Sequence, residues 1–148
     1  MRVNNESSLT QIKSANRLPY VLAKQEATGA GVDEAVLLNQ AGHVAEFSAY
    51  NLFAVINDRL FTPPVSDGAL PGITREAVLQ LAEKLEIPAN EWNMKAADLV
   101  DASEIFATNS TRGIVPVIGL NKALAQGRKI TSRLQEAYQT LVREELGL

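Results

Sequence analysis

The chain has 148 residues, of which 46% are hydrophobic and 21% are charged, and its formal net charge at pH 7 is −3. These values are typical of one globular domain, and the mild negative charge argues against a nucleic-acid partner or an anionic membrane surface. The lack of cysteine and the single histidine exclude disulfides, cysteine nucleophiles and a multi-histidine metal centre, so no metal site is expected.

The first half of the chain predicts one helix followed by two pairs of strands. Residues 1–12 are expected to be extended and polar. They lack the apolar core of a signal peptide, and the chain has no apolar run that could span a bilayer, which favours a cytoplasmic protein without a membrane partner. A helix is predicted over 17–28, with Pro19 in its first turn and glycines after its end. Four strands are then predicted, at Asp33 to Asn39, His43 to Phe47, Asn51 to Ile56 and Arg59 to Thr62.

The second half predicts two further helices around short strands. Ile73 to Leu85 has the spacing of an amphipathic helix, with Thr74 as a plausible N-cap. Ser132 and Gln135 have the spacing of a capping box, which predicts a last helix over 132–146. Between these helices the pattern predicts strands at Glu91 to Met94, Glu104 to Thr108 and Ile114 to Gly119, with a helical turn over Ala96 to Val100. Antiparallel hairpins mixed with single helices indicate an α/β or α+β domain with a curved, barrel-like sheet.

Four polar segments stand out in a fixed order. They are Lys13 within IKSANRL, Glu46 to Phe53 (EFSAYNLF), Leu70 to Arg75 (LPGITR) and Thr108 to Val117 (TNSTRGIVPV). An amine, a carboxylate, a glycine loop that opens a helix and a second Ser/Thr/Asn loop are the parts needed to hold pyridoxal phosphate. The amine forms a Schiff base, the carboxylate pairs with the pyridine nitrogen, and the loops bind the phosphate.

Each of these features also has an ordinary structural interpretation. Taken alone, Lys13 is a solvated surface charge, Glu46 is an exposed residue of an alternating strand, and Gly72 to Thr74 is a loop with an N-cap. Asn109 and Ser110 alone are turn residues. The ordered combination of all four segments is what favours a cofactor site.

The same segments resemble the C-terminal domain of the fold-type IV pyridoxal-phosphate enzymes, a family that includes branched-chain aminotransferases, D-amino-acid aminotransferases and 4-amino-4-deoxychorismate lyase. The resemblance extends from about Ile12 to Val117. It implies a pseudo-barrel of mixed, largely antiparallel strands with outer helices. It also implies that 1–12 is an extended interdomain segment, that 13–148 is the cofactor-binding domain, and that the N-terminal domain of the family is absent.

The resemblance also implies a role for each matching residue. Lys13 matches the catalytic lysine that binds the cofactor aldehyde and shuttles the proton. Glu46 matches the carboxylate at the pyridine nitrogen. Ile73 and Thr74 match the helix-opening pair that holds the phosphate, and the second phosphate loop corresponds to Asn109 and Ser110. Asn51 is interpreted as support for Glu46.

The resemblance favours a lyase that converts 4-amino-4-deoxychorismate to 4-aminobenzoate and pyruvate, a step of folate biosynthesis. Arg17 stands where branched-chain aminotransferases tend to carry a tyrosine, and Gly113 stands where aminotransferases of the family usually show a glutamate. The alternative is a branched-chain or D-amino-acid aminotransferase. The segment IKSANRLPYVLAKQEA also resembles the D-amino-acid aminotransferase pattern, and LPGITR is common to all three kinds of enzyme. Each alternative implies a small substrate that is an amino-bearing acid.

A further alternative is a non-catalytic remnant of the fold, or an assembly module. Family members carry another domain before the lysine, which supplies an arginine to the phosphate and much of the substrate pocket. The isolated chain is therefore expected to bind the cofactor weakly and to turn over poorly. By resemblance, the protein is expected to form a homodimer.

Overall fold

The structure, a computed structural model, describes residues 2–4, 12–120, 123–124 and 127–147. Three helices lie in these ranges: α1 (Leu18–Gly29), α2 (Ile73–Lys84) and α3 (Lys129–Leu146). Short 3-10 helices occur at Val65–Asp67 and Asp98–Asp101. Over these same ranges, none of the helices combines the length and the apolar character that crossing a bilayer would require.

Within the described residues, the strands form three hydrogen-bonded sheets. Their bounds are β1 (Arg2–Val3), β2 (Val36–Asn39), β3 (Val44–Phe47), β4 (Asn51–Ile56), β5 (Arg59–Thr62), β6 (Ala89–Glu91), β7 (Glu104–Asn109), β8 (Gly113–Val117), β9 (Gly119–Leu120) and β10 (Ala123–Leu124). One sheet has the order β1-β2-β3, the largest has the order β6-β5-β4-β7-β8, and β9 and β10 form a hairpin. The β1-β2 and β5-β6 pairs are parallel, and the other pairs are antiparallel.

The central strand β4 is buried on both faces, which divides the interior into layers. Phe53 and Val55 join the core beneath α2 and α3. The alternate residues Leu52 and Ala54 join a second core, shared with β2 and β3. Successive side chains of a strand point to opposite faces of the sheet, so β4 contributes alternate residues to the core on each side. A stacked pair of Phe53 and Phe106, with ring centroids 4.9 Å apart, fills the first core.

A third, smaller core fixes α1 on the three-stranded sheet. Ala23 of α1 packs with Val3, Leu37 and Ala45, all of which are buried. The resulting order of layers places α2 and α3 outside the larger sheet and α1 outside the smaller one. The predicted fold, largely antiparallel mixed strands with outer helices, is confirmed.

Most predicted elements lie within a few residues of the observed ones. The helix predicted over 17–28 is α1, and the strands predicted at Asn51 to Ile56 and Arg59 to Thr62 have the observed bounds. A tight turn joins these two strands. Asn57 and Asp58 adopt φ of 52° and 58°, in the left-handed region that these two residue types tolerate best after glycine.

The strand predicted at Glu91 to Met94 is wrong. The structure places β6 earlier, at Ala89–Glu91, in parallel register with β5. After Glu91 the chain leaves the sheet. The Trp92 ring packs against Phe61, with centroids 5.1 Å apart, and the Asn93 amide donates to the Asp67 carboxylate at 2.9 Å. The apolar residues that suggested a strand therefore pack as side chains of an irregular segment.

The two predicted helix N-caps are also wrong. Gly72 is the N-cap of α2, and Thr74 lies one residue inside the first turn. The last helix begins at Lys129 and not at Ser132. Gln135, predicted to complete a capping box, donates to the Ile114 carbonyl oxygen at 3.0 Å.

The earlier start of α3 has a clear cause in the buried carboxylate of Glu104 on β7. Glu104 Oε1 accepts the Ile130 N–H at 3.0 Å. Its Oε2 accepts the N–H and the hydroxyl of Thr131, at 2.7 and 2.6 Å. A negative charge bound to first-turn N–H groups stabilises a helix through both the hydrogen bonds and the dipole. The cap comes from a residue 26 positions earlier in the chain, and no local sequence pattern contains it.

Replacing Glu104 with alanine is expected to lower the free energy of unfolding by about 3 kcal/mol, because it leaves buried N–H and hydroxyl groups without acceptors. Urea unfolding measures this loss. Glu136→Ala is the matched control, since Glu136 is exposed on the same helix, and it is expected to change stability by less than about 0.5 kcal/mol. Equal effects of the two substitutions would contradict this role of Glu104.

Candidate functional site

The site is built around Glu46, whose carboxylate lies in the interior. Glu46 is on β3 and only 4% exposed, so the interpretation as an exposed strand residue is wrong. The Leu70 N–H donates to Oε2 at 3.0 Å and the Asn51 amide donates to the same oxygen at 3.2 Å. The Tyr20 side chain of α1 lies near the same carboxyl group. Donors from β4 and from the loop before α2 thus meet at one carboxylate.

Burial dominates the acid–base behaviour of Glu46. It raises the pKa of the carboxyl group from 4.5 to about 7, because a charge is poorly solvated in the interior. The Leu70 hydrogen bond, the Arg17 charge, the Tyr20 hydrogen bond and the Lys13 charge all favour the ionised form, in that order, and only in part offset the burial. A cation bound next to Glu46 would lower this pKa, so the carboxyl group would be ionised near neutral pH.

Lys13 lies in an irregular segment just before α1. Its side chain is exposed, and its positive charge acts on Glu46. Two backbone hydrogen bonds shape the segment, from Ser14 N to the Ile12 carbonyl and from Arg17 N to the Ala15 carbonyl, each 2.8 Å long. The structure thus brings the predicted amine and the predicted carboxylate within electrostatic range of each other.

The start of α2 lies beside the same carboxylate. Asn51, which donates to Glu46, also donates to the Leu70 carbonyl oxygen at 2.8 Å. An added Cβ at Gly72 would lie 2.1 Å from Asn51 Oδ1, so the two residues are in direct contact. Gly72 provides no side chain to cap the first turn. The N–H groups of that turn, next to Ile73 (80% exposed) and the buried Thr74, are suited to binding an anion.

The second loop is held mainly by its own hydrogen bonds. The Asn109 amide donates to the Ala49 carbonyl at 3.3 Å, and its oxygen accepts from the Arg112 N–H at 2.9 Å and from the Thr111 hydroxyl at 3.2 Å. Asn109 therefore shapes the loop. Ser110, at the tip, is exposed.

Helix α3 braces this second loop. Gly113, which ends the loop, has φ of +64°, and an added Cβ would lie 2.9 Å from the Tyr138 ring. Gln135 binds the Ile114 carbonyl from the same helix. A shallow groove of about 370 Å³ runs between the loop and α3, with Ser110, Arg112 and Arg143 among its lining residues.

Sequence reasoning missed three contributors to the site. The first is Tyr20, which lies near Glu46. The backbone N–H of Leu70 has no sequence signature. The third is Thr108, whose Oγ1 is buried without a hydrogen-bond partner among the described residues. Thr108 lies opposite Asn51 in the β4-β7 register, so the two side chains share a face of the sheet.

These features fit pyridoxal phosphate as a ligand. The donor set has an amine, a carboxyl group that ionises beside a cation, and the uncapped first turn of a helix. The orphaned hydroxyl of Thr108 is the kind of buried polar atom that a polar ligand satisfies. Among the described residues, no cluster of three or more acidic or histidine side chains could hold a metal ion.

Comparisons with known proteins identify the family of the chain. The sequence model of the amino-transferase class IV family matches residues 1–120. A Methanocaldococcus jannaschii protein named "Putative branched-chain-amino-acid aminotransferase" is 40% identical over 133 residues, which is 88% of this chain and 46% of the relative. The chain thus spans about half the length of that relative.

Two solved structures have the same fold. One, from Legionella pneumophila, is named "Putative 4-amino-4-deoxychorismate lyase"; it has a TM-score of 0.90 and 31% identity, with 95% of this chain and 53% of that one covered. The other is the branched-chain amino acid aminotransferase of Thermobaculum terrenum in its PLP form, with a TM-score of 0.91, 31% identity, and coverage of 96% and 48%. This chain belongs to the class IV aminotransferase family.

Proposed function

We propose that the protein is the cofactor-binding half of a pyridoxal-phosphate-dependent enzyme that acts on a small, amino-bearing acid. The observation that carries this proposal is the convergence of Lys13, Glu46 and the uncapped first turn of α2 on one region. Family membership and the PLP form of a structural relative support it.

When bound, pyridoxal phosphate supplies an aldehyde for the substrate amine and a ring that accepts electrons. Lys13 would bind the aldehyde carbon and later move a proton at the substrate carbon that bears the nitrogen. Glu46 would hold a proton at the pyridine nitrogen, where the positive charge favours its ionised form. The N–H groups at Ile73 and Thr74 would bind the phosphate, with Ser110 contributing from the second loop.

An aminotransferase is the first candidate reaction, because the 40% identical relative carries that name. A lyase is the second candidate. It is supported by the Legionella neighbour, by Arg17 after Asn16 and by Gly113 in the second loop. Supplying branched-chain amino acids, D-alanine and 4-amino-4-deoxychorismate separates them. A 2-oxo acid with transfer of the amine to the cofactor indicates transamination, whereas 4-aminobenzoate with pyruvate indicates the lyase.

The cofactor proposal itself is tested by borohydride reduction of the protein with limiting pyridoxal phosphate, followed by mapping of the modified lysines by mass spectrometry. We expect modification concentrated at Lys13, and loss of that signal in Lys13→Ala. Lys95→Ala is the control, since Lys95 is also exposed, and it is expected to leave the Lys13 signal unchanged. Modification spread evenly over the lysines would contradict the proposal.

A further inference from the structure

Arg75 is a buried arginine in the first turn of α2. It follows Gly72, Ile73 and Thr74, and it is only 6% exposed. A positive side chain so close to a helix N-terminus is opposed by the helix dipole, and its burial adds a cost of desolvation. Such a cation is retained in a protein interior only where opposite charges compensate for this cost.

Two acceptors fix the Arg75 guanidinium. Its Nη2 donates to the Pro63 carbonyl oxygen at 3.0 Å and also to the Glu91 carboxylate. Pro63 follows the end of β5, and Glu91 is the last residue of β6, which pairs with β5 in parallel. The Arg75 side chain therefore fastens the first turn of α2 to the same ends of two neighbouring strands.

The same arginine holds the loop between β5 and α2. Pro63 begins this loop, and the loop carries Leu70, whose N–H donates to Glu46 at 3.0 Å. At the other end of the loop, an added Cβ at Gly72 would lie 3.6 Å from Arg75 Cβ. One side chain thus contacts the start of the loop, its end, and the strand beside it.

The charge of Arg75 is only partly compensated by the described residues. Its ion-pair partner Glu91 has a side chain that is 49% exposed, so water screens the attraction. The Arg75 Nε is buried and has no hydrogen-bond partner among the described residues. An anion at the uncapped turn would interact favourably with both the helix dipole and the buried guanidinium.

We propose that Arg75, anchored by Pro63 and Glu91, is a positioning residue that holds the first turn of α2 in the geometry needed to bind a phosphate group. This inference rests on the proposed function, which assigns the cofactor phosphate to the N–H groups of that turn. Arg75 acts on the turn through its hydrogen bonds and its charge. It strengthens binding of the phosphate and leaves the reactivity of Lys13 unchanged.

The test compares the capture of pyridoxal phosphate with the capture of pyridoxal, which has the same ring and no phosphate. Each is reduced onto the protein with borohydride, and modification of Lys13 is measured by mass spectrometry. In the wild type we expect the phosphate to favour capture. In Arg75→Ala this preference is expected to fall about tenfold, because a hydrogen-bonded charge no longer holds the turn. A purely structural loss would lower the capture of both compounds and leave their ratio unchanged.

Arg59→Ala is the matched control. Arg59 also joins β5 to β6, since it donates to Asn90 Oδ1 at 3.1 Å, but it is exposed and lies at the opposite end of β5. Its replacement is expected to leave the preference unchanged. Glu91→Ala removes the anchor and keeps Arg75, so it is expected to lower the preference as well. Because the two residues act through one contact, the double variant is expected to lose no more than Arg75→Ala alone.

A folded Arg75→Ala protein that keeps the wild-type preference would overturn the positioning role. If urea unfolding shows that Arg75→Ala does not fold, an unchanged preference in Glu91→Ala overturns it, and so does full additivity of the two substitutions. Failure of the wild type to trap either compound at Lys13 would instead overturn the proposed function, on which this role depends. Equal capture of both compounds by the wild type would overturn the assignment of the phosphate to this turn.

Discussion

Replacing Gly72 with alanine is expected to lower the free energy of unfolding by about 3 kcal/mol and to weaken cofactor capture at Lys13. The backbone at Gly72, with φ of −76° and ψ of 137°, suits any residue, so the effect is purely steric. A Cβ there would lie 2.1 Å from Asn51 Oδ1 and 3.3 Å from Asn51 Cγ. Asn51 would have to turn away and release both Glu46 and the Leu70 carbonyl.

Urea unfolding and borohydride trapping measure the two effects. Gly29→Ala is the matched control, because an added Cβ there meets nothing within 4 Å, and alanine is the better helix former. A double-mutant cycle with Asn51→Ala isolates the contact, since truncation of Asn51 removes the atom that the new methyl group strikes. If Gly72→Ala costs as much in the Asn51→Ala background as in the wild type, the steric explanation fails.

Glu46→Gln is expected to stabilise the cofactor-free protein at alkaline pH while reducing cofactor capture. The folded chain holds the Glu46 proton more tightly than the unfolded chain does, since the pKa rises from 4.5 to about 7 on folding. The associated stability is complete below pH 4.5 and is lost as the pH rises through 7. A shift of this size corresponds to a loss of about 3 kcal/mol. Glutamine has no proton to lose, so the variant should keep this stability.

The measurement is the free energy of unfolding in urea below pH 4.5 and above pH 7, together with borohydride trapping. Wild type and Glu46→Gln should agree at the acidic end and diverge at the alkaline end. Glu83→Gln, on an exposed residue of α2, should follow the wild type throughout. A Glu46→Gln protein that is less stable at every pH, or that captures cofactor like the wild type, would refute this account.

The sequence predicted elements whose cause is local. The spacing of Val78, Leu81 and Ala82 identified α2, because a helix buried along one stripe repeats its apolar residues every turn. The two strands on either side of Asn57 and Asp58 could also be predicted from the sequence. These two residue types favour the left-handed region that the turn between the strands requires.

What the sequence could not predict depends on residues far apart in the chain. The start of α3 is set by Glu104, and two donors to Glu46 come from β4 and from the loop before α2. Tyr20 lies on α1, and it comes near Glu46 only because α1 packs against the smaller sheet. Such contacts are decided by how the layers stack, and local periodicity carries no information on them.

The contact of Gly113 with Tyr138 makes the second loop of the candidate site depend on the last helix. The last helix packs against the end of the loop that carries Ser110, and this helix is synthesised long after Glu46. A chain still emerging during synthesis could therefore assemble the acidic side of the site first. The anion-binding side would be completed only once the C-terminal turns had docked.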